Sequence, residues 1–103
     1  MANDRFAINI VEEAAEELAA IRPYVRSVIV ETIIEQLTFQ PTTETKNKKK
    51  LAGVEPPWKH LLPLRQLRIG EYRVFYDVEE TEGVVNVHAV RFKPANKTTE
   101  DIL

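Results

Sequence analysis

Between Leu64 and Lys93 the chain alternates apolar and polar residues in three runs. Leu67 and Ile69 are spaced by Gln66 and Arg68. Tyr72, Val74, Tyr76 and Val78 are spaced by Arg73, Phe75, Asp77 and Glu79. Val85, Val87 and Ala89 alternate with Asn86, His88 and Val90. A period of two belongs to strands with one buried face. Gly70-Glu71 and the Glu79–Gly83 segment supply reversals between the runs. The pattern predicts an antiparallel meander with an apolar face and an opposite face that carries Arg68, Arg73 and His88.

Upstream, Phe6, Ile8 and Ile10 alternate with Ala7 and Asn9, which predicts a short first strand. From Glu12 to Ala20 strong helix formers follow, with glutamates in the first turns, where the helix dipole favours them. Val11, Ala14, Ala15, Leu18 and Ile21 form one stripe of that helix. Pro23 ends it and suits the start of a second helix, Pro23 to Leu37, with Val25, Val28, Ile29, Thr32, Ile33 and Gln36 on its inner side. So many β-branched residues leave a strand open as an alternative for Ser27 to Ile34, but length and stripe favour helix. Gln40 to Lys50 reads as a polar connector. Leu51 to Pro63, with Gly53, Pro56, Pro57 and Pro63, reads as irregular. Trp58 within it is a candidate plug over the core edge, with base stacking as the alternative. A polar tail begins near residue 94. The elements add up to one domain over residues 1–103: an α+β two-layer sandwich in the order β-α-α-β-β-β, with a mainly antiparallel four-stranded sheet packed against two helices.

Composition narrows the classes. The 103 residues are 44% hydrophobic and 29% charged, as in an ordinary globule with one modest core. There is no cysteine, which excludes disulfides and thiolate metal sites. His60 and His88 have no carboxylate spacing that speaks for a metal, so neither a metal nor a cofactor is expected. No apolar run reaches the roughly 20 residues that span a bilayer. The N-terminus is acidic too early for a secretory signal, and a cytoplasmic protein is expected. Charge is uneven: Lys46 to Arg73 carries eight Lys/Arg against two Glu, while the rest carries six against fourteen Asp/Glu. An acidic body with a basic middle points to a local anion site.

The segment Leu67-Arg68-Ile69-Gly70-Glu71-Tyr72-Arg73-Val74-Phe75-Tyr76-Asp77-Val78 resembles the Leu-Arg-x-Gly-x-Tyr-Arg-x-x-Tyr hairpin of the RelE/ParE superfamily of bacterial toxins. The helical pair that begins at Glu12, the Pro41–Leu51 link into the sheet and the last strand Val85–Val90 are similar to that family's elements. The resemblance spans Phe6 to Lys93. It implies a compact α+β sandwich and the toxin role of a type II toxin–antitoxin system, with a cognate antitoxin as partner. RelE-type members cleave mRNA on the ribosome without a metal. ParE-type members inhibit DNA gyrase. The hairpin does not separate the two. Position by position, Arg73 matches the family's catalytic arginine and Arg68 a basic residue of the preceding strand. A later arginine falls near Arg91 or Lys93. Gln66 stands where RelE has a lysine, and no tyrosine follows Tyr76.

Metal-free RNA cleavage needs a base, an acid and cations around the crowded phosphate. The candidate catalytic residues are therefore Arg73, Arg68, Lys93 and His88, with His88, whose ordinary pKa is about 6.5, as a proton shuttle. Regular alternation puts Arg91 and Lys93 on the inward phase, unless the strand bends near Val90. The candidate RNA and ribosome contacts are Lys46, Lys48, Lys49, Lys50, Arg65 and Arg91. The expected function is a ribosome-dependent mRNA endonuclease that inhibits translation. The alternatives are a gyrase inhibitor and a catalytically weak antitoxin-binding module.

Overall fold

The computed structural model describes residues 5–103, so the start of the acidic N-terminal stretch lies outside it. Among the described residues the elements are β1 (Ala7–Ile10), α1 (Glu12–Ala19), α2 (Pro23–Leu37), β2 (Lys48–Lys50), β3 (Arg65–Ile69), β4 (Tyr72–Glu79), β5 (Val84–Phe92) and a final 3-10 turn, Glu100–Ile102. The strands form one sheet in the order β1-β5-β4-β3-β2. β1 runs parallel to β5, and the other neighbours are antiparallel. The α+β class is the expected one. The sheet has five strands rather than four, because the lysine run expected to be a connector pairs as β2 with β3. No helix among the described residues is long and apolar enough to cross a membrane.

Each helix buries one stripe. In α1, Ala14 and Leu18 are four residues apart and buried, and Glu12 and Glu13 occupy the first turn. In α2, Pro23 starts the helix, and Ile29, Ile33 and Leu37 repeat every four residues against the sheet. Each such side chain contributes about 1.5–3 kcal/mol on burial. Val28, expected on the inner side, is 42% exposed. From the sheet, Leu67, Val74, Tyr76, Val85, Val87 and Val90 meet this helix layer.

The hairpin between β3 and β4 turns at Gly70, whose φ of 57° is a conformation that suits glycine. That turn sets Arg68 opposite Arg73 and Leu67 opposite Val74. Between β4 and β5 the register shifts: Phe75 faces Ala89, yet Tyr76 faces Val87. His88 is thus the extra residue of a β-bulge. Past it, the faces of β5 exchange. Val90 joins the helix-side core, whereas Ala89 and Arg91 join Phe75 and Arg73 on the other side. The expected placement of Ala89 on the helix face is corrected by this one residue.

The face away from the helices is not simply a solvated basic surface. Leu64, Phe75 and Ala89 form a second small core there, covered by Leu51, Val54, Trp58, Ile102 and Leu103. The irregular segment and the C-terminal turn thus cover one half of this face. The basic residues occupy the other half.

Candidate functional site

Antiparallel pairing puts Lys49 of β2 opposite Gln66 of β3, and Arg68 of β3 opposite Arg73 of β4. Arg73 in turn faces Arg91 of β5. Like charges directly opposite one another cost a sheet stability. Three arginines in a row across neighbouring strands therefore need compensation, which Arg91 finds in Glu17, while Arg68 and Arg73 line an open cleft. Lys46, Asn47, Lys49, Gln66, Arg68, Arg73, Lys93 and Thr99 surround a cleft of about 190 Å³. Among the described residues its ionisable lining consists of cations alone. A shallower depression of about 430 Å³ shares Arg68, Arg73 and Lys93 and brings Glu71 to its rim.

Arg73 is the most confined of these cations, at 9% exposure. Its Nη1 donates to Gly70 O (3.0 Å) and to Tyr72 O (2.9 Å). Both bonds use one nitrogen, so the other donors of the fork have no partner among the described residues. Burial, and then the Arg68 guanidinium, hold its pKa below the ordinary arginine value. Arg68 is exposed on the opposite strand. Lys93 follows β5, and its backbone N–H donates to Glu71 O at 2.7 Å. The bulge at His88 is what brings Lys93 to this side. The bend on which its placement depended is present.

His88 does not line the cleft. Its Nε2 lies 2.7 Å from Asp77 Oδ2, and its ring stacks on Trp58 at 6.0 Å between centroids. Asp77, 1% exposed, also accepts from Leu61 N (2.8 Å) and Asn86 Nδ2 (2.9 Å). Burial would raise the Asp77 pKa. The hydrogen bonds from His88, Asn86 and Leu61, with the charge of His88, outweigh it and hold the carboxyl below its ordinary value. This network pins the Trp58 loop to the sheet. Trp58 packs against Phe75 at 6.2 Å, the plug that its loop position suggested.

The other expected contacts divide. Lys46 and Lys49 line the cleft, but Lys48 does not. Lys48 is 2% exposed, and its Nζ donates to Gln36 O (3.1 Å) in the last turn of α2 and to Gln40 O (2.7 Å) just past its end. Its expected RNA contact is corrected to an internal cap, because strand alternation turns it away from Lys49 and under the helix. Lys50 is exposed but does not line the cleft. Arg65 is 9% exposed and donates through Nη1 to Thr42 O at 3.3 Å, so it is a structural tie rather than an open contact. Arg91 has its Nε 2.7 Å from Glu17 Oε2, an ion pair too poorly aligned for a hydrogen bond. It also donates from Nη1 to Ile102 O (2.7 Å) and lies over the Trp58 ring at 5.5 Å. Periodicity gave no weight to Asn47, Gln66 and Thr99, which share the cleft. Neutral polar residues carry no distinctive signal until the pairing of β2 with β3 and the return of the tail bring them together. Among the described residues no group of three His, Asp or Glu side chains is placed to hold a metal ion.

The model of the ParE toxin of type II toxin–antitoxin systems matches residues 8–92. No curated protein sequence matches this chain. Among solved structures, the fold is similar to a chain of the RelE–RelB complex from Pyrococcus horikoshii OT3, at 22% identity over 91% of this chain and 99% of that one, with a TM-score of 0.68. It is similar to a chain of the RelBE2 toxin–antitoxin complex from Mycobacterium tuberculosis, at 19% identity over 86% and 99%, with a TM-score of 0.67. The isolated RelE toxin of E. coli matches at 20% identity over 89% and 88%, with a TM-score of 0.66. At such identities the structures speak for the fold. The match over residues 8–92, on a sheet whose hairpin carries the Tyr72-Arg73 pair, speaks for the family. The chain belongs to the ParE toxin family of type II toxin–antitoxin systems, within the RelE/ParE superfamily.

Proposed function

We propose that the toxin acts by cleaving mRNA during translation, with the cationic cleft as the seat of the scissile phosphate. The observation that carries this reading is the confluence of Lys46, Lys49, Arg68, Arg73 and Lys93 around one cleft with no carboxylate among the described residues of its lining. In the reaction the 2′-oxygen attacks the neighbouring phosphorus and the bond to the 5′-oxygen breaks. The products are a 2′,3′-cyclic phosphate and a 5′-hydroxyl. Negative charge accumulates on the phosphate oxygens, and one preorganised donor there contributes about 3 kcal/mol. Arg68 and Arg73 supply planar forks for those oxygens. Arginine stays charged, so the lysines are the cleft side chains suited to exchange protons with the 2′- and 5′-oxygens. His88, committed to Asp77, has no part in these steps.

The partner in the resting state is a cognate antitoxin. Two of the similar structures are toxin–antitoxin complexes. An apolar groove of about 410 Å³ between the start of α2 and the β3–β4 hairpin, lined by Ile21, Val25, Val28, Ile69, Tyr72 and Phe92, fits such a partner.

The second reading, inhibition of DNA gyrase, draws on the ParE family match and on the absence of histidine from the cleft. One comparison separates the two. The toxin and its Arg68→Ala variant are added to a translating extract and, separately, to a gyrase supercoiling reaction. The proposal expects ribosome-dependent cuts in the message, reduced about 100-fold in the variant. Intact message together with lost supercoiling would replace it with the second reading.

A further inference from the structure

Two neutral side chains touch each other inside the cationic cleft. Gln66 is 5% exposed, and Thr99 reaches it from the C-terminal segment, donating from Oγ1 to Gln66 Oε1 at 3.2 Å. Both line the cleft beside Lys49, Arg68 and Arg73. The bond does not exhaust either group. A carboxamide has two N–H donors, and a hydroxyl keeps lone pairs after donating its proton. Gln66 Nε2 has no hydrogen-bond partner among the described residues. It is also not one of the sealed, unpartnered atoms, which are Trp58 Nε1, Arg65 Nε and Arg91 Nε. Gln66 Nε2 is therefore not sealed off, on a residue that lines the cleft. With its proton committed to Gln66, Thr99 Oγ1 is left as an acceptor.

A donor and an acceptor thus stand side by side among cations. A phosphate oxygen only accepts, so this pair adds little to phosphate binding that the cations do not already supply. A hydroxyl donates and accepts at once and is the complement of the pair. The pair is not needed to hold the tail, because Arg91 binds Ile102 O and Ile102 and Leu103 pack into the second core.

We propose that Gln66 and Thr99 form a ribose-reading subsite. Gln66 Nε2 donates a hydrogen bond to a 2′-oxygen and Thr99 Oγ1 accepts one from the 2′-O–H, which selects RNA over DNA beside the phosphate held by the cations. The 2′-hydroxyl is the group by which a protein tells the two polymers apart. This rests on the reading of the cleft as an RNA site, and it makes Gln66 and Thr99 positioning residues.

The test is fluorescence anisotropy at low salt with a labelled single-stranded oligoribonucleotide and its deoxy counterpart, in a sequence free of uracil and thymine. The full chain should prefer the ribose strand by about three- to ten-fold, the range of a net hydrogen bond or two. Gln66→Leu and Thr99→Val should bring the ratio close to unity by weakening only the ribose strand, while Thr99→Ser keeps the preference. Thr99 lies on the tail, so Thr99→Val carries the test if a thermal melt shows Gln66→Leu to be unfolded. Equal binding of both strands by the wild type, or a preference that survives Thr99→Val, overturns the subsite and leaves the cleft standing. Failure of the ribose strand to bind, or binding indifferent to Arg68→Ala, overturns the subsite and the cleft reading together.

Discussion

Lys48 and Lys49 are neighbours of identical charge with opposite tasks. Lys48 closes the end of α2 from beneath, and burial holds its pKa below the ordinary lysine value. Lys49 lines the cleft. Lys48→Gln should lower stability by about 1–3 kcal/mol, the cost of leaving buried carbonyls without a donor, as read from urea unfolding. Lys49→Gln should stay within about 0.5 kcal/mol of wild type in the same assay. A similar contrast separates the two arginines. Arg73 carries two backbone hydrogen bonds under cover, so Arg73→Ala should cost stability as well as activity. Arg68 is exposed, and Arg68→Ala should cost activity alone. Equal melts for the two alanine variants would contradict this assignment.

At the scale of elements, the bulge in β5 and the loop that carries Trp58 depend on one carboxylate. Asp77 accepts three hydrogen bonds, from Leu61, Asn86 and His88. Its pKa in the folded protein is lowered, so its contribution to stability is complete above the unfolded value of about 3.9 and is lost as pH falls through the lower folded value. Thermal melts between neutral pH and pH 2 should show the wild type losing its margin over Asp77→Asn only below about pH 4. A margin that disappears already near pH 6 would assign the dependence to another group. On the helix side, Tyr76 donates its hydroxyl to Pro41 O at 2.8 Å, and burial pushes its pKa up to about 12 against the opposing pull of Arg65. The unfolded chain would ionise near 10, so this group favours folding below that pH and ceases to do so as pH rises through about 12.

Across the whole molecule the net charge is -2, yet cations crowd one cleft. Affinity for single-stranded RNA should therefore depend on salt through local contacts. Each phosphate neutralised adds about 0.7 to the slope of log affinity against log salt. Lys46→Gln and Lys49→Gln should each flatten that slope by about this amount, and Lys50→Gln, whose residue lies outside the cleft, should leave it unchanged. A slope that responds equally to all three would mean that the lysines act as a diffuse field.

The alternation from Leu67 to Val87, the stripes of α1 and α2 and the Gly70-Glu71 reversal were sufficient to derive an α+β sandwich, because burial imposes its period on the residues themselves. The Tyr72-Arg73 hairpin likewise carried the family. Pairing decided the rest. Lys48–Lys50 has no apolar residue to mark it as a strand, and it becomes one only because β3 offers a free edge. A single bulged residue, His88, moved Arg91 and Lys93 onto the face of Arg73, and alternation alone assigns them to the opposite face. Lys48 went beneath a helix and Gln66 beside a threonine 33 residues further on. Such partners are distant in sequence and chemically ordinary, so three-dimensional proximity alone distinguishes the lysine that caps a helix from the lysine that lines the cleft.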